Sequence, residues 1–266
     1  MTSNSQRSLD ETVRALRAAG CVFAEDEARL LLAEASGPDE LAELVRRRAA
    51  GLPLEVLLGW ADFCGLRVGV QAGVFVPRQR SAFLVEQAVA RCRPGAVVLD
   101  LCCGSGALGL AMAVALGGLQ LHAAELDPVA ASCAERNLEQ VGGRVYVGDL
   151  YDPLPAALRG SVEVIVVNAP YVPTEAIALL PPEAREQEPR LALDGGPDGV
   201  DVHRRVAAGA PGWLVPGGSL LIETGRSQAT RTAAAVAAAG LVPLIVESGD
   251  GLCTVVVGSR AEETLS

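Results

Sequence analysis

Ala96-Val-Val-Leu-Asp100-Leu-Cys-Cys-Gly104-Ser-Gly106-Ala-Leu-Gly109 is a continuous apolar run, with one carboxylate near its end, that passes into a turn carrying three glycines. A short Val-rich run bounded by turn residues reads as a buried strand, and the apolar stretch to Leu116 reads as the helix it feeds. Glycines in such a turn let the backbone approach a ligand closely, and the start of the helix offers free amide donors.

Working outward, the pattern repeats. Leu119–Glu125 reads as a second strand, followed by a helix from Pro128 to about Gln140. Val145–Val147, Val162–Val167 and Ser219–Glu223 read as strands, and Val202–Ala208 and Gln228–Ala239 as helices. Leu241–Glu247 and Cys253–Gly258 have little sequence between them, so they are expected to pair antiparallel. The alternation predicts an α/β fold: a Rossmann-like seven-stranded sheet, mostly parallel, with its last strand antiparallel.

Upstream the period changes twice. Between Leu9 and Ala50, Val13, Leu16, Ala28, Leu31, Leu32, Ala35, Leu41, Leu44 and Val45 recur at three- and four-residue steps. Gly20 and Gly37–Pro38 punctuate them into two or three short helices. From Leu57 to Arg78, valines and aromatics lie among glycines, as in a β-hairpin. The expected organisation is a helical N-terminal domain over 1–58, a hairpin linker over 59–79, and the α/β domain over 80–266.

Composition narrows the chemistry. Half of the 266 residues are apolar and the formal net charge is −10. Every basic residue is Arg, so Schiff-base chemistry on a lysine is excluded. An acidic chain gains no general attraction to nucleic acid, where neutralisation of phosphates dominates affinity. The seven cysteines form no CxxC pair and stand with two histidines, so no metal site is expected and the thiols read as small buried apolar groups. No apolar stretch is long enough to span a bilayer, and Met1–Asp10 is polar, without the apolar segment of a secretory signal. The expectation is a soluble cytoplasmic protein, monomeric, with no membrane partner.

The glycine turn satisfies GxGxxG, which alone leaves a NAD-binding reading open. Glu125, twenty-one residues after Gly104 and at the end of the next strand, suits the two hydroxyls of a ribose. Asp100 would repel a pyrophosphate but would suit the ammonium of a methionine moiety, which favours S-adenosylmethionine. Asp149 is a candidate for the adenine amine, with the alternative of an ordinary turn residue.

A second motif, Val166-Val167-Asn168-Ala169-Pro170-Tyr171, ends another strand and should face the same crevice. An amide nitrogen is a poor nucleophile because its lone pair is delocalised. Two acceptors that grip both N–H bonds would orient the lone pair and stabilise the positive charge that develops in transfer. The side-chain oxygen of Asn168 and the carbonyl of Ala169 are the two acceptors; Pro170 aims that carbonyl and Tyr171 lies against the flat group. His122 reads as a packed histidine, His203 as solvated, and Trp60 and Trp213 as packing residues. Glu223 reads either as a structural carboxylate or as a pocket wall.

Here the chain resembles the HemK/PrmC family of protein glutamine methyltransferases over nearly its whole length. The resemblance rests on both motifs and on four further stretches. These are Pro53–Gly59, Phe63–Leu66 with Val76-Pro-Arg78, Gly148–Leu154, and Glu188–Leu193 with Gly195, Gly196, Asp198 and Gly199. It implies methyl transfer from S-adenosylmethionine to a glutamine side-chain amide, in the Gly-Gly-Gln motif of peptide-chain release factors or next in a ribosomal protein, with the N-terminal helices docking the target. It implies Asn168, Ala169, Pro170 and Tyr171 as the catalytic set. The implied cofactor-binding set is Asp100, Cys102, Cys103, Gly104, Ser105, Gly106, Glu125, Asp149 and Leu150, with Asn168. The chain departs from the family at three places: Ala169 for the first proline of Asn-Pro-Pro-Tyr, Cys102 and Cys103 for Gly and Thr, and Gln79-Arg-Ser-Ala82 for Pro-Glu-Thr-Glu. Adenine methylation in nucleic acid and a non-catalytic S-adenosylmethionine-binding module are the alternatives.

Overall fold

Asp127 and Pro128 show how local sequence starts an element in this chain. Asp127 Oδ1 accepts the Val129 N–H at 2.8 Å, and Pro128 occupies the first turn, where no amide partner is needed. The computed structural model describes Ser3 through Glu262. Met1, Thr2 and residues 263–266, which the expected domain bounds include, lie outside the described residues.

Four helices come first: α1 (Ser3–Ala18), α2 (Ala24–Glu34), α3 (Pro38–Ala49) and the single-turn α4 (Leu54–Leu58). Leu16, Ala24, Ala28, Leu31 and Leu44 close a small core of their own between them. The hairpin follows as β1 (Trp60–Phe63) and β2 (Leu66–Gly69), antiparallel with Phe63 opposite Leu66.

The α/β part runs α5 (Ala82–Val89), β3 (Val97–Leu101), α6 (Ala107–Leu116), β4 (Gln120–Glu125), α7 (Pro128–Leu138), β5 (Arg144–Val147) and β6 (Val162–Val167). It continues with α8 (Pro182–Gln187), α9 (Asp201–Gly209), β7 (Leu214–Thr224), α10 (Ala229–Ala238), β8 (Val242–Glu247) and β9 (Thr254–Ser259). The hairpin is fastened to it: Gly69 both donates to and accepts from the Asn137 side chain on α7, at 2.9 and 2.8 Å. Phe63 and Val68 are fully buried in the main core.

The seven strands lie in the order β5-β4-β3-β6-β7-β9-β8. All pairs are parallel except those of β9, which runs antiparallel to both β7 and β8. Alternating side chains feed two layers. Val98, Val164 and Val166 pack with α5, α6 and α7 through Leu84, Met112 and Leu138. Leu99, Ile165 and Val167 pack on the other face with α9 and α10 through Val206 and Val236. From β3 the chain winds outward through β4 and β5, then returns to β6 on the far side of β3. That reversal opens a crevice beyond the carboxyl ends of β3 and β6.

The sequence reading needs correction at some elements. His203 is fully buried rather than solvated, with Nδ1 2.9 Å from Thr232 Oγ1 between α9 and α10. Burial lowers its pKa to about 4. β7 begins five residues earlier than expected, at Leu214, and α8 went unread. His122 and Trp213 are buried, as expected. Among the described residues no helix is long and apolar enough to cross a membrane.

Candidate active site

The carboxyl end of β3 leads directly into the glycine turn. Cys102 takes a left-handed backbone, φ 54°, where a β-carbon is disfavoured. Gly104 follows at φ 57°, and its N–H donates to Glu125 Oε2 at 2.8 Å. The other oxygen of Glu125 accepts the Asp127 N–H at 3.0 Å. Two backbone amides thus fix this carboxylate at the end of β4, with lone pairs left on its cavity side.

Cys102, Cys103, Gly104 and Ser105 line a cavity of about 660 Å³, and so do Glu125, Asp149 and Leu150. Asp149 is held there by Arg205 at 2.7 Å. Asn168, Ala169, Pro170 and Tyr171 form part of the same wall. Two members of the expected cofactor set stand elsewhere. Gly106 lies behind the loop, where a β-carbon would meet Leu138 at 3.1 Å. Asp100 is wholly buried, its Oδ2 accepts the Gly109 N–H at 2.9 Å, and Oδ1 has no hydrogen bond among the described residues. Desolvation raises its pKa to about 7, against the pull of that amide and with a small push from Glu125. In the folded chain Asp100 braces the start of α6 and is not among the residues that line the cavity.

The turn after β6 is built to present acceptors. Asn168 Nδ2 donates to Ser81 Oγ at 3.3 Å, Oδ1 has no hydrogen-bond partner among the described residues, and Asn168 lines the cavity. Neither the N–H nor the carbonyl of Ala169 makes a hydrogen bond among the described residues. The turn is gripped from behind: Gln228 Nε2 donates to the Tyr171 carbonyl at 2.5 Å, and the Val172 N–H donates to Leu193 O at 2.9 Å. Gly195 and Gly199 make this grip possible. A β-carbon on Gly195 would come within 2.7 Å of Tyr171 Cα, and one on Gly199 would overlap the Tyr171 carbonyl and the Gln228 amide. Gly199 also has φ 76°.

Local pattern does not predict the contact that Ser81, 2% exposed, makes with Asn168, eighty-seven residues on. Arg80 Nη2 donates to the Tyr171 hydroxyl at 2.8 Å, and its Nε lies 3.5 Å from Glu223 Oε1. Glu223 stands at the end of β7, 1% exposed and off the cavity wall, which makes it the structural carboxylate of the two readings. Burial pushes its pKa up; the Ser81 hydroxyl and Arg80 moderate this by proximity, although neither completes a well-formed hydrogen bond with it. Arg78 pairs with the buried Glu188 at 2.5 Å on the same wall. Burial raises the Tyr171 phenol, so the ring stays protonated at neutral pH.

Comparison with known proteins agrees with this arrangement. The methyltransferase small domain family matches residues 66–180, which span both motifs. The chain is 43% identical over 197 residues to the release factor glutamine methyltransferase of Geobacter sulfurreducens, covering 72% of this chain and 68% of that protein. It is 33% identical over 257 residues to the 4-amino-L-phenylalanine/4-methylamino-L-phenylalanine methyltransferase of Streptomyces pristinaespiralis, covering 88% and 87%. A methyltransferase from Pyrococcus furiosus superposes with a TM-score of 0.56 over 84% of this chain and 98% of its own, at 16% identity, which shows the shared fold.

Proposed function

The chain belongs to the release factor glutamine methyltransferase family, and from that premise we propose that it methylates the side-chain amide nitrogen of a protein glutamine, with the Gly-Gly-Gln motif of peptide-chain release factors as first target. The observation that carries this reading is a pair of acceptors, Asn168 Oδ1 and the Ala169 carbonyl, that have no hydrogen-bond partner among the described residues and belong to adjacent residues of one cavity wall. A primary amide has two N–H bonds, and two fixed acceptors match them.

S-adenosylmethionine is the methyl donor; as a sulfonium it supplies an electrophilic methyl group. The residues fit it. The cavity volume is in the range of cofactor sites. Glu125, held by two backbone amides, would receive the ribose hydroxyls, the Cys102–Ser105 loop would hold the methionine end, and Asp149 with Leu150 would hold the adenine. At the acceptor, Ser81 holds the Asn168 amide so that oxygen and not nitrogen faces the substrate. The two carbonyl oxygens would then stabilise, through the N–H bonds they accept, the positive charge that grows on the nitrogen. Because they stand in place before reaction, no reorganisation is required at that moment. The cationic, N-protonated amide that methyl transfer would form is strongly acidic, and it would lose its proton to solvent without a dedicated base.

The N-terminal helices are the docking element for the target protein, and the enzyme works as a cytoplasmic monomer. An aromatic amine is a second reading, favoured by the near full-length match to the Streptomyces enzyme, because a planar NH2 offers the same two N–H bonds. Radiolabelled transfer from S-adenosylmethionine tests both. Label on a release-factor glutamine is the expected result, and label on an aromatic amine alone would replace it with the second reading.

A further inference from the structure

Two arginines border the acceptor end of the cavity, and each is backed by a carboxylate almost sealed from solvent. Arg78 rests on Glu188, whose side chain is 3% exposed, and Arg80 on Glu223, whose side chain is 2% exposed. A glutamate held behind a guanidinium fixes the orientation of the fork without consuming its outward N–H bonds.

Arg80 is the more telling of the two. Its Nε edge faces Glu223 and Nη2 donates to the Tyr171 hydroxyl, while Nη1 has no partner among the described residues. The side chain is 38% exposed and lines the cavity. It directly precedes Ser81, which holds Asn168, and it touches Tyr171, which ends the same turn. A cation with open donors therefore stands beside the place where the accepting nitrogen is gripped. At this position the chain carries Arg where the family it resembles carries an acidic residue, so the charge at the acceptor is reversed.

We propose that Arg80 is a specificity-determining anion anchor, and that the true acceptor carries a carboxylate a short chain away from its methylated nitrogen. This rests on the glutamine reading and narrows it: the preferred glutamine has an acidic neighbour. The same chemistry could come from a small amine that bears its own carboxylate, so the test includes both sources.

The experiment uses the whole chain and two matched pairs of acceptors. One pair is capped peptides in which Gly-Gly-Gln is followed directly by aspartate or by serine. The other is 3-(4-aminophenyl)propanoate and its methyl ester. Initial rates of label transfer are compared for wild type, Arg80→Gln, Arg80→Lys and Arg80→Glu. Affinity for S-adenosylhomocysteine is measured for each to show that the fold and cofactor site persist. In at least one pair, the carboxylate member is expected to have kcat/KM about tenfold or more above its neutral partner, the size expected of a charged hydrogen bond. Arg80→Gln should erase that preference, Arg80→Lys keep part of it, and Arg80→Glu invert it. Equal rates within both pairs, or a preference that survives Arg80→Gln, would overturn the proposal. So would failure of a cofactor-binding protein to label any of the four acceptors. If only the aromatic pair is labelled, the glutamine reading falls, and the Arg80 proposal is decided by that pair alone.

Discussion

Asn168 Nδ2 lies 3.3 Å from Ser81 Oγ, and this one contact decides which end of the Asn168 amide the substrate meets. With the nitrogen committed to Ser81, Oδ1 faces the cavity. An acceptor is what an N–H of the substrate requires; a donor there would repel it.

Asn168→Ala is expected to lower kcat by a factor of about 10² to 10³, the usual effect of losing one preorganised polar group at a developing charge. Ser81→Ala should cost about tenfold in kcat with little change in KM, because the amide is freed to turn. Ser81→Thr should retain activity, since the hydroxyl remains. Steady-state kinetics on an unmethylated acceptor reads all three. Wild-type rates for Asn168→Ala would remove the turn from the mechanism.

Glu125 is braced by Gly104 and Asp127 before any ligand arrives. Glu125→Ala should weaken S-adenosylhomocysteine by about ten- to a hundredfold in Kd, the range of one or two charged hydrogen bonds. Calorimetric titration gives the number directly. An unchanged Kd would place the ribose elsewhere.

Gly199→Ala adds a β-carbon at a left-handed position against the Tyr171 carbonyl and Gln228. Overpacking and backbone strain together should destabilise by about 2 to 4 kcal/mol in urea unfolding. Activity should fall even in the folded fraction, because the acceptor turn is displaced. Ala169→Pro is the converse case. The Ala169 N–H makes no hydrogen bond among the described residues, so the ring removes none, and a gain of about 0.4 to 1 kcal/mol is expected with activity retained.

Asp100 carries a pH signature. Its folded pKa is about 7, above the ordinary value near 3.8, so the fold favours the protonated acid. This contribution is fully present below the unfolded pKa and is lost as pH rises through the folded one. Between about pH 4 and 7, wild type should therefore lose stability relative to Asp100→Asn, whose side chain does not titrate. Urea unfolding of the two proteins at pH 4.5, 6 and 8 checks it. A difference that is flat with pH would show that Asp100 is not strained by burial.

The sheet class, mostly parallel with an antiparallel last strand, and the place of the crevice were legible in the sequence because both follow from local pattern. Val-rich runs that alternate with helices admit few arrangements other than a doubly wound sheet, and its ligands lie at the carboxyl ends of its strands. The Gly104 loop, Glu125 and the Asn168 turn could each be found from residue type and position. His203 was misread for a related reason: a titratable residue among arginines looks solvated until the helix it packs on is known. Asp100 was assigned a ligand because its motif is local, while its burial is set by α6 and the neighbouring strands.

What the sequence by itself determined was therefore the fold, the methyl donor and the two motifs, since each is carried by contiguous residues with a period or a spacing. Only the tertiary structure decided how Ser81, Arg80 and Glu223 meet at Asn168 and Tyr171. Those residues come from three separate segments, and their contacts depend on where strands β6 and β7 end beside one another, a relation between distant segments that no local pattern encodes.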